Sequence, residues 1–320
     1  MSGFSRRKLL AGGAGTLAAA AVGGAAFREL ARAHGKQVAT RAGVAFGTTV
    51  ALTFAGPDAQ ALEASIHDGF SEIRALERAA SLMRPDSELS RLNRAGALDR
   101  PDPRLVALAS YALALAERSG GAFDPTVQPL WTLWERTTRD GRRPDEAERA
   151  EAVARVGWRD VEVSGERIAF RRPGVEMTLN GILQGYAADL VIAAARRHGV
   201  ADAFVDTGEF GAFGRHPDGR PWRLGGRTAK EGGETDVLSS DFQGFAATSA
   251  GAGTPFSKDG ADNHIFDPAT GLSPQLLSRV AVFAPSGIEA DGLSTAIYVM
   301  GKARGEALLA GRPGYALDLM

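Results

Sequence analysis

Met177-Thr178-Leu179-Asn180-Gly181-Ile182-Leu183-Gln184-Gly185-Tyr186-Ala187-Ala188-Asp189 reads as a strand that passes through a Gly-bearing turn into a helix. The helix is predicted over 185–198, closed by Gly199. Repeated regularly, such a unit builds a parallel, doubly wound sheet. The sequence on either side does not repeat it. Upstream, 44–54 (VAFGTTVALTF) is β-branched and aromatic and reads as a strand. Residues 58–82 carry Leu62, Ile66, Phe70, Ile73 and Leu76 at helical spacing and predict an amphipathic helix. A turn at 84–88 leads into Leu89 to Asn93. A second helix spans 103–119, stopped by Gly120-Gly121, and a third spans 145–156. Segments 161–163 and 168–170 form a hairpin around Ser164-Gly165. Downstream come short strands at 203–206, 222–224, 244–248 and 279–284, then helices at 290–300 and 304–309. Helices and strands mixed without regular alternation define an α+β fold.

The N-terminus carries a different message. Ser5-Arg6-Arg7-Lys8-Leu9-Leu10 is a twin-arginine pattern, followed by a charge-free stretch of Ala and Gly up to Phe27. Ala31-Arg32-Ala33 offers a small-x-small cleavage site. Residues 1–33 are therefore expected to be a twin-arginine signal peptide, and 34–320, one large domain or two closely joined ones, to lie in the periplasm. The 320 residues include no Cys, which excludes disulfides, a thiolate zinc site and a Cys nucleophile. With 37 basic against 38 acidic residues, nothing points to nucleic acid or an anionic membrane.

Four stretches are dense in polar chemistry. His264-Ile265-Phe266-Asp267-Pro268-Ala269-Thr270-Gly271 is a polar turn closed by Pro and Gly. Glu289 to Ala296 places Asp291 and Thr295 four residues apart, so a helix puts a carboxylate and a hydroxyl on one face. Hard oxygen donors of that kind suit Mg²⁺ completed by substrate phosphates; a capped helix with a polar edge looks the same. Gly120-Gly121-Ala122-Phe123-Asp124-Pro125 lets backbone approach a ligand closely, or merely ends a helix. Asp206-Thr207-Gly208-Glu209 follows a strand and supplies two acids that would equally serve as turn caps. The Gly-bearing start of the 185–198 helix could hold phosphate oxygens on its amides.

Taken in order, these stretches resemble the ApbE family, the FAD:protein FMN transferases. Eight stations run from Phe46-Gly47-Thr48-Thr49 to Gly301: FGTTV, SELSRLN, GGAFDPTVQPLWTLW, VGW, NGILQGYAADLV, DTGEFGAFG, HIFDPATG and ADGLSTAIYVMG. The resemblance implies a single mixed domain of the ApbE, T-fold-like type. It implies transfer of the FMN half of FAD to a Thr hydroxyl of a partner flavoprotein, with release of AMP. It places Asp291 and Thr295 as side-chain Mg²⁺ ligands and the Gly181 carbonyl as a third. Phe46, Ala122, Phe123, Asp124 and Gln184 fall at FAD-contacting positions, and His264 at the active-site His position. Asp291, His264 and Glu209 are the candidates for the base that takes the Thr proton.

Three departures stand out. Gln184 replaces a Lys of many members, Thr207-Gly208-Glu209 replaces a GGD-like loop, and Ala250 to Thr254 replaces a Gly and a following Arg. They resemble the exported NosX-type branch, whose acceptor would be a membrane-bound flavoprotein with a periplasmic face. They also keep open a FAD-binding carrier without transfer activity. A FAD pyrophosphatase would use the same site with water as nucleophile.

Overall fold

The computed structural model describes residues 35–227 and 235–320; the segment read as a signal peptide lies outside them. In chain order the elements are β1 (Gln37–Ala45), β2 (Thr48–Gly56), α1 (Ala59–Ala80), α2 (Glu88–Ala95), β3 (Ala97–Asp99) and α3 (Pro103–Arg118). Next come α4 (Gln128–Arg139), α5 (Glu146–Val153), β4 (Val161–Val163), β5 (Arg167–Phe170), α6 (Asn180–Arg197), β6 (Asp202–Asp206) and β7 (Phe210–Phe213). The chain continues through β8 (Leu224–Arg227), β9 (Thr235–Ser239), β10 (Gly244–Ala250), β11 (Arg279–Ala284), α7 (Gly287–Met300), α8 (Lys302–Leu309) and β12 (Ala316–Leu319).

The frame is a seven-stranded sheet in the order β1-β2-β6-β7-β10-β11-β12, with every pairing antiparallel. Alternation along each strand decides which side faces the helices. Val50, Leu52 and Phe54 of β2 point to one side with Ala203 and Val205 of β6. Against this side pack α1, α6 and α7. Full burial of a Leu or Phe here contributes roughly 1.5–3 kcal/mol. Phe204, Phe210, Ala212, Ala246 and Phe283 point the other way and pack with Trp222 and Phe242. A third cluster joins Leu130, Leu133 and Trp134 of α4 to Phe266. The mixed α+β architecture expected from the sequence is the one observed.

Several local expectations change. The single strand expected over 44–54 is the end of β1 and most of β2, joined by a hairpin turn. Phe46 and Gly47 form its two-residue loop with φ of 53° and 78°, the left-handed geometry that matches the twist of flanking strands. An apolar Phe gives no turn signal, so the break was hidden. Residues 177–179 form no strand, although Asn93 gives them the bonds of one: its Nδ2 donates to the Met177 carbonyl and its Oδ1 accepts the Met177 amide, each at 2.8 Å. The helix that follows starts at Asn180, five residues earlier than expected. The turn at 84–88 gives way to α2, whose N-cap Ser87 accepts the Ser90 amide. What read as a Gly-rich loop ends in α4, with Pro129 in its first turn. The strand expected at 222–224 begins only at Leu224.

Candidate active site

A cavity of about 310 Å³ opens where the starts of α6 and α4, the middle of α7 and the loop after β10 meet. Ala122, Phe123, Asp124, Gly181, Gln184, Glu209, His264, Asp291 and Thr295 all line it. Phe46 does not: it sits at the hairpin tip, where its amide donates to Glu77 Oε1 at 3.0 Å.

The oxygen-rich corner is made by two helices at very close range. A Cβ on Gly185 of α6 would collide with the Gly287 carbonyl, and one on Gly287 of α7 with the Gly185 carbonyl. Glycine at both positions is thus a packing requirement. That approach brings Asp291 Oδ2 within 2.9 Å of the Gly185 amide, which donates to it. In a regular helix the same amide would close on the carbonyl of Gly181. A Cβ on Gly181 would stand 3.1 Å from Thr295 Oγ1 and 3.3 Å from Phe123, so the backbone of Gly181 lies beside the Thr295 hydroxyl. Ser249 Oγ holds that hydroxyl at 3.2 Å and the Ser294 hydroxyl at 2.8 Å.

Three acids line the cavity, and burial raises all three. Asp291 is pushed up by desolvation, against the pull of the Gly185 amide. Glu209 is driven well above the usual range by desolvation and then by Asp291, while accepting the Thr248 amide on Oε2 at 3.0 Å. Asp124 is raised by burial but is engaged by its own loop: Oδ1 accepts the Thr126 amide and hydroxyl, and Oδ2 accepts the Trp158 amide. No Lys or Arg lines the cavity among the described residues. Gln184 lies across Gly208, where φ is 97° and a Cβ would collide with its amide. Thr207 ties the same turn to the Gln184 carbonyl at 2.8 Å.

The opposite wall is aromatic. Trp131 meets Phe256 edge-on at 5.4 Å and His264 at 6.4 Å. The His264 amide donates to the Thr254 carbonyl, whereas its Nδ1 is buried with no hydrogen-bond partner. Burial lowers the His264 pKa, so the imidazole is neutral at pH 7. Among residues the sequence reading did not assign, Trp131, Thr178, Asn180 and Ser249 also line the cavity. Trp131 lay within a recognised station; Ser249 is brought in only by strand pairing.

No cluster of three His, Cys, Asp or Glu suited to a metal occurs among the described residues. What does come together is the Asp291 carboxylate, the Thr295 hydroxyl and the backbone of Gly181, an oxygen-rich set. That set fits a hard cation finished by substrate oxygens and does not fit zinc.

Comparison with known proteins identifies the family and the fold. Residues 46–317 match the model of the ApbE family. An FAD:protein FMN transferase of Treponema pallidum is 30% identical over 229 residues, 66% of this chain and 63% of that protein. One from Klebsiella pneumoniae is 30% identical over 219 residues, 64% of this chain and 61% of that protein. The chain thus aligns with less than two thirds of the length of these curated relatives. The crystal structure of the Pseudomonas stutzeri flavinyl transferase ApbE, in its apo form, superimposes with a TM-score of 0.76 at 30% identity, covering 89% of this chain and 91% of that one. The ApbE protein of Thermotoga maritima superimposes with a TM-score of 0.76 at 26% identity, covering 88% and 94%.

Proposed function

The chain belongs to the ApbE family, and on that premise we propose that it transfers the FMN part of FAD to a Thr hydroxyl of a partner flavoprotein, releasing AMP. The observation that carries this reading is the convergence of Asp291, Thr295 and the Gly181 backbone in a cavity lined by carboxylates and lacking any Lys or Arg among the described residues. A pyrophosphate does not enter such a site on protein charge alone. Mg²⁺ held by those three oxygens would neutralise the charge that grows on the bridging oxygen.

The chain's own residues have separable tasks. The α6 start, without a side-chain cap of its own, turns its positive dipole end toward the phosphates. Phe123 and Trp131 supply apolar surface for a flavin ring. The acceptor hydroxyl oxygen bonds to the FMN phosphorus, the bond from that phosphorus to the bridging oxygen breaks, and AMP leaves with that oxygen. The hydroxyl proton needs a base. Asp291 is engaged by the Gly185 amide and assigned to the cation; burial pushes the Glu209 carboxyl well above its usual range, and its Oε2 already accepts the Thr248 amide. His264 lines the cavity and burial lowers its pKa, so its neutral imidazole is the proton acceptor of choice.

We also infer export by the twin-arginine route. The acceptor would then be a membrane-bound flavoprotein exposing a Thr to the periplasm, as for the NosX-type branch. Fractionation of cells carrying Arg6→Lys with Arg7→Lys tests this; normal periplasmic levels would overturn it.

The decisive assay incubates the protein with FAD, MgCl₂ and a purified Thr-bearing flavoprotein domain from a membrane complex. Flavin fluorescence on the denatured acceptor, with one AMP per FMN attached, is the expected result. Free FMN and AMP without acceptor would mean a pyrophosphatase. Intact FAD after exhaustive trials of such acceptors would mean a carrier.

A further inference from the structure

Asp291 and Thr295 ride on α7, yet nothing on α7 caps its first turn. Ser286 occupies the N-cap position with extended backbone, and its hydroxyl donates to Glu289 Oε2 at 2.9 Å instead of meeting a backbone amide. The first-turn amides of Gly287 and Ile288 donate across the helix interface to the two carboxylate oxygens of Asp189, at 2.6 and 2.9 Å. Asp189 belongs to α6, one turn after Gly185, whose amide donates back to Asp291 Oδ2. Each helix therefore offers a carboxyl group to the other's backbone, on either side of the Gly185–Gly287 contact.

A cap drawn from the same chain segment stabilises a helix end by about 1 kcal/mol and fixes nothing else. A cap drawn from a neighbouring helix also locks how the two slide and rotate against each other. Oxygen donors split between two helices, Gly181 on α6 and Asp291 with Thr295 on α7, depend on that register. Site geometry of this kind has to be held within roughly 0.5 Å.

We propose that Asp189 is a positioning residue, the latch that sets the register of α6 against α7 and so brings Asp291 and Thr295 to the Gly181 carbonyl. This rests on the reading of those three groups as the cation site.

The test follows FAD fluorescence during MgCl₂ titration without acceptor, alongside thermal unfolding, for Asp189→Asn, Asp291→Ala and the double variant Asp189→Ala with Ser286→Asp. The double variant restores a local cap to α7 without the bond to α6. Asp189→Asn is expected to raise the half-saturating Mg²⁺ concentration about 10–100-fold, the usual effect of losing a group that orients metal ligands. The double variant is expected to recover thermal stability and keep the raised Mg²⁺ midpoint. Recovery of both together, or an unshifted midpoint in Asp189→Asn while Asp291→Ala shifts it, would overturn the latch and leave the cation site standing. An unshifted midpoint in Asp291→Ala would overturn the cation reading and the latch with it.

Discussion

The two walls of the cavity are built on opposite principles. On the α6–α7 side, backbone touches backbone through paired glycines, and Asp291 and Asp189 accept amides across the interface in both directions. On the other side, a long irregular segment after β10 is held by Asn263, Ser273 and aromatic edges, and it leaves His264 Nδ1 buried and unpartnered. The difference matches what each wall is asked to do. On the proposed reading, the cation site tolerates little error in oxygen positions, and mounting it on helices fixed by close packing meets that need. On the same reading His264 is the proton acceptor, and its buried, unpaired Nδ1 costs about 1–3 kcal/mol.

The sharpest way to break this contrast is Asp291→Ala. Loss of the sole carboxylate of the cation corner is expected to lower FMN transfer by about 10³-fold or more. It also leaves the buried Gly185 amide without its acceptor, which costs about 1–3 kcal/mol in urea unfolding. Transfer at the normal rate under limiting Mg²⁺ would move the chemistry off the helix wall.

His264→Gln addresses the other wall. Transfer should fall about 10²–10⁴-fold, the range for a lost general base, with FAD binding retained. The pH dependence has a definite sign. Burial lowers the His264 pKa, so the neutral, proton-accepting form persists to lower pH than for an exposed imidazole. The rate through His264 should hold level across neutral pH and decline only on the acid side, as pH falls through the lowered pKa. A profile still rising above pH 7 would assign the proton to another group.

Smaller effects come from the residues between the walls. Trp131→Ala removes the aromatic surface beside His264 and should weaken FAD binding by about 1 kcal/mol, roughly fivefold, by fluorescence titration. Gln184→Lys adds the only cationic side chain of the lining among the described residues. Charge-assisted bonds to phosphate are the stronger kind, so FAD binding should persist and transfer should speed up about two- to tenfold. Loss of both would show that the turn at Gly208, over which the Gln184 amide lies, has no room for a longer side chain.

Much of this was legible from residue order. The spacing of Leu62, Ile66, Ile73 and Leu76 announced α1, and the limits of β11 were read to the residue. The absence of Cys and the Asp291–Thr295 spacing narrowed the chemistry to oxygen donors. Those features depend on local periodicity and side-chain type, which a linear sequence carries in full. Other features needed the folded chain. Phe46 opens a hairpin loop, because its left-handed conformation is imposed by the pairing of β1 with β2. Asn93 stands in for a strand beside Met177 from 84 residues away. Asp189 looks like one more polar helix residue until α7 lies against it, and Ser249 meets Thr295 only once β10 and α7 are packed. Sequence determined the kind of atoms available for the site. Tertiary packing decided which of them face each other, since the distances that matter are set by contacts between segments that no local pattern encodes.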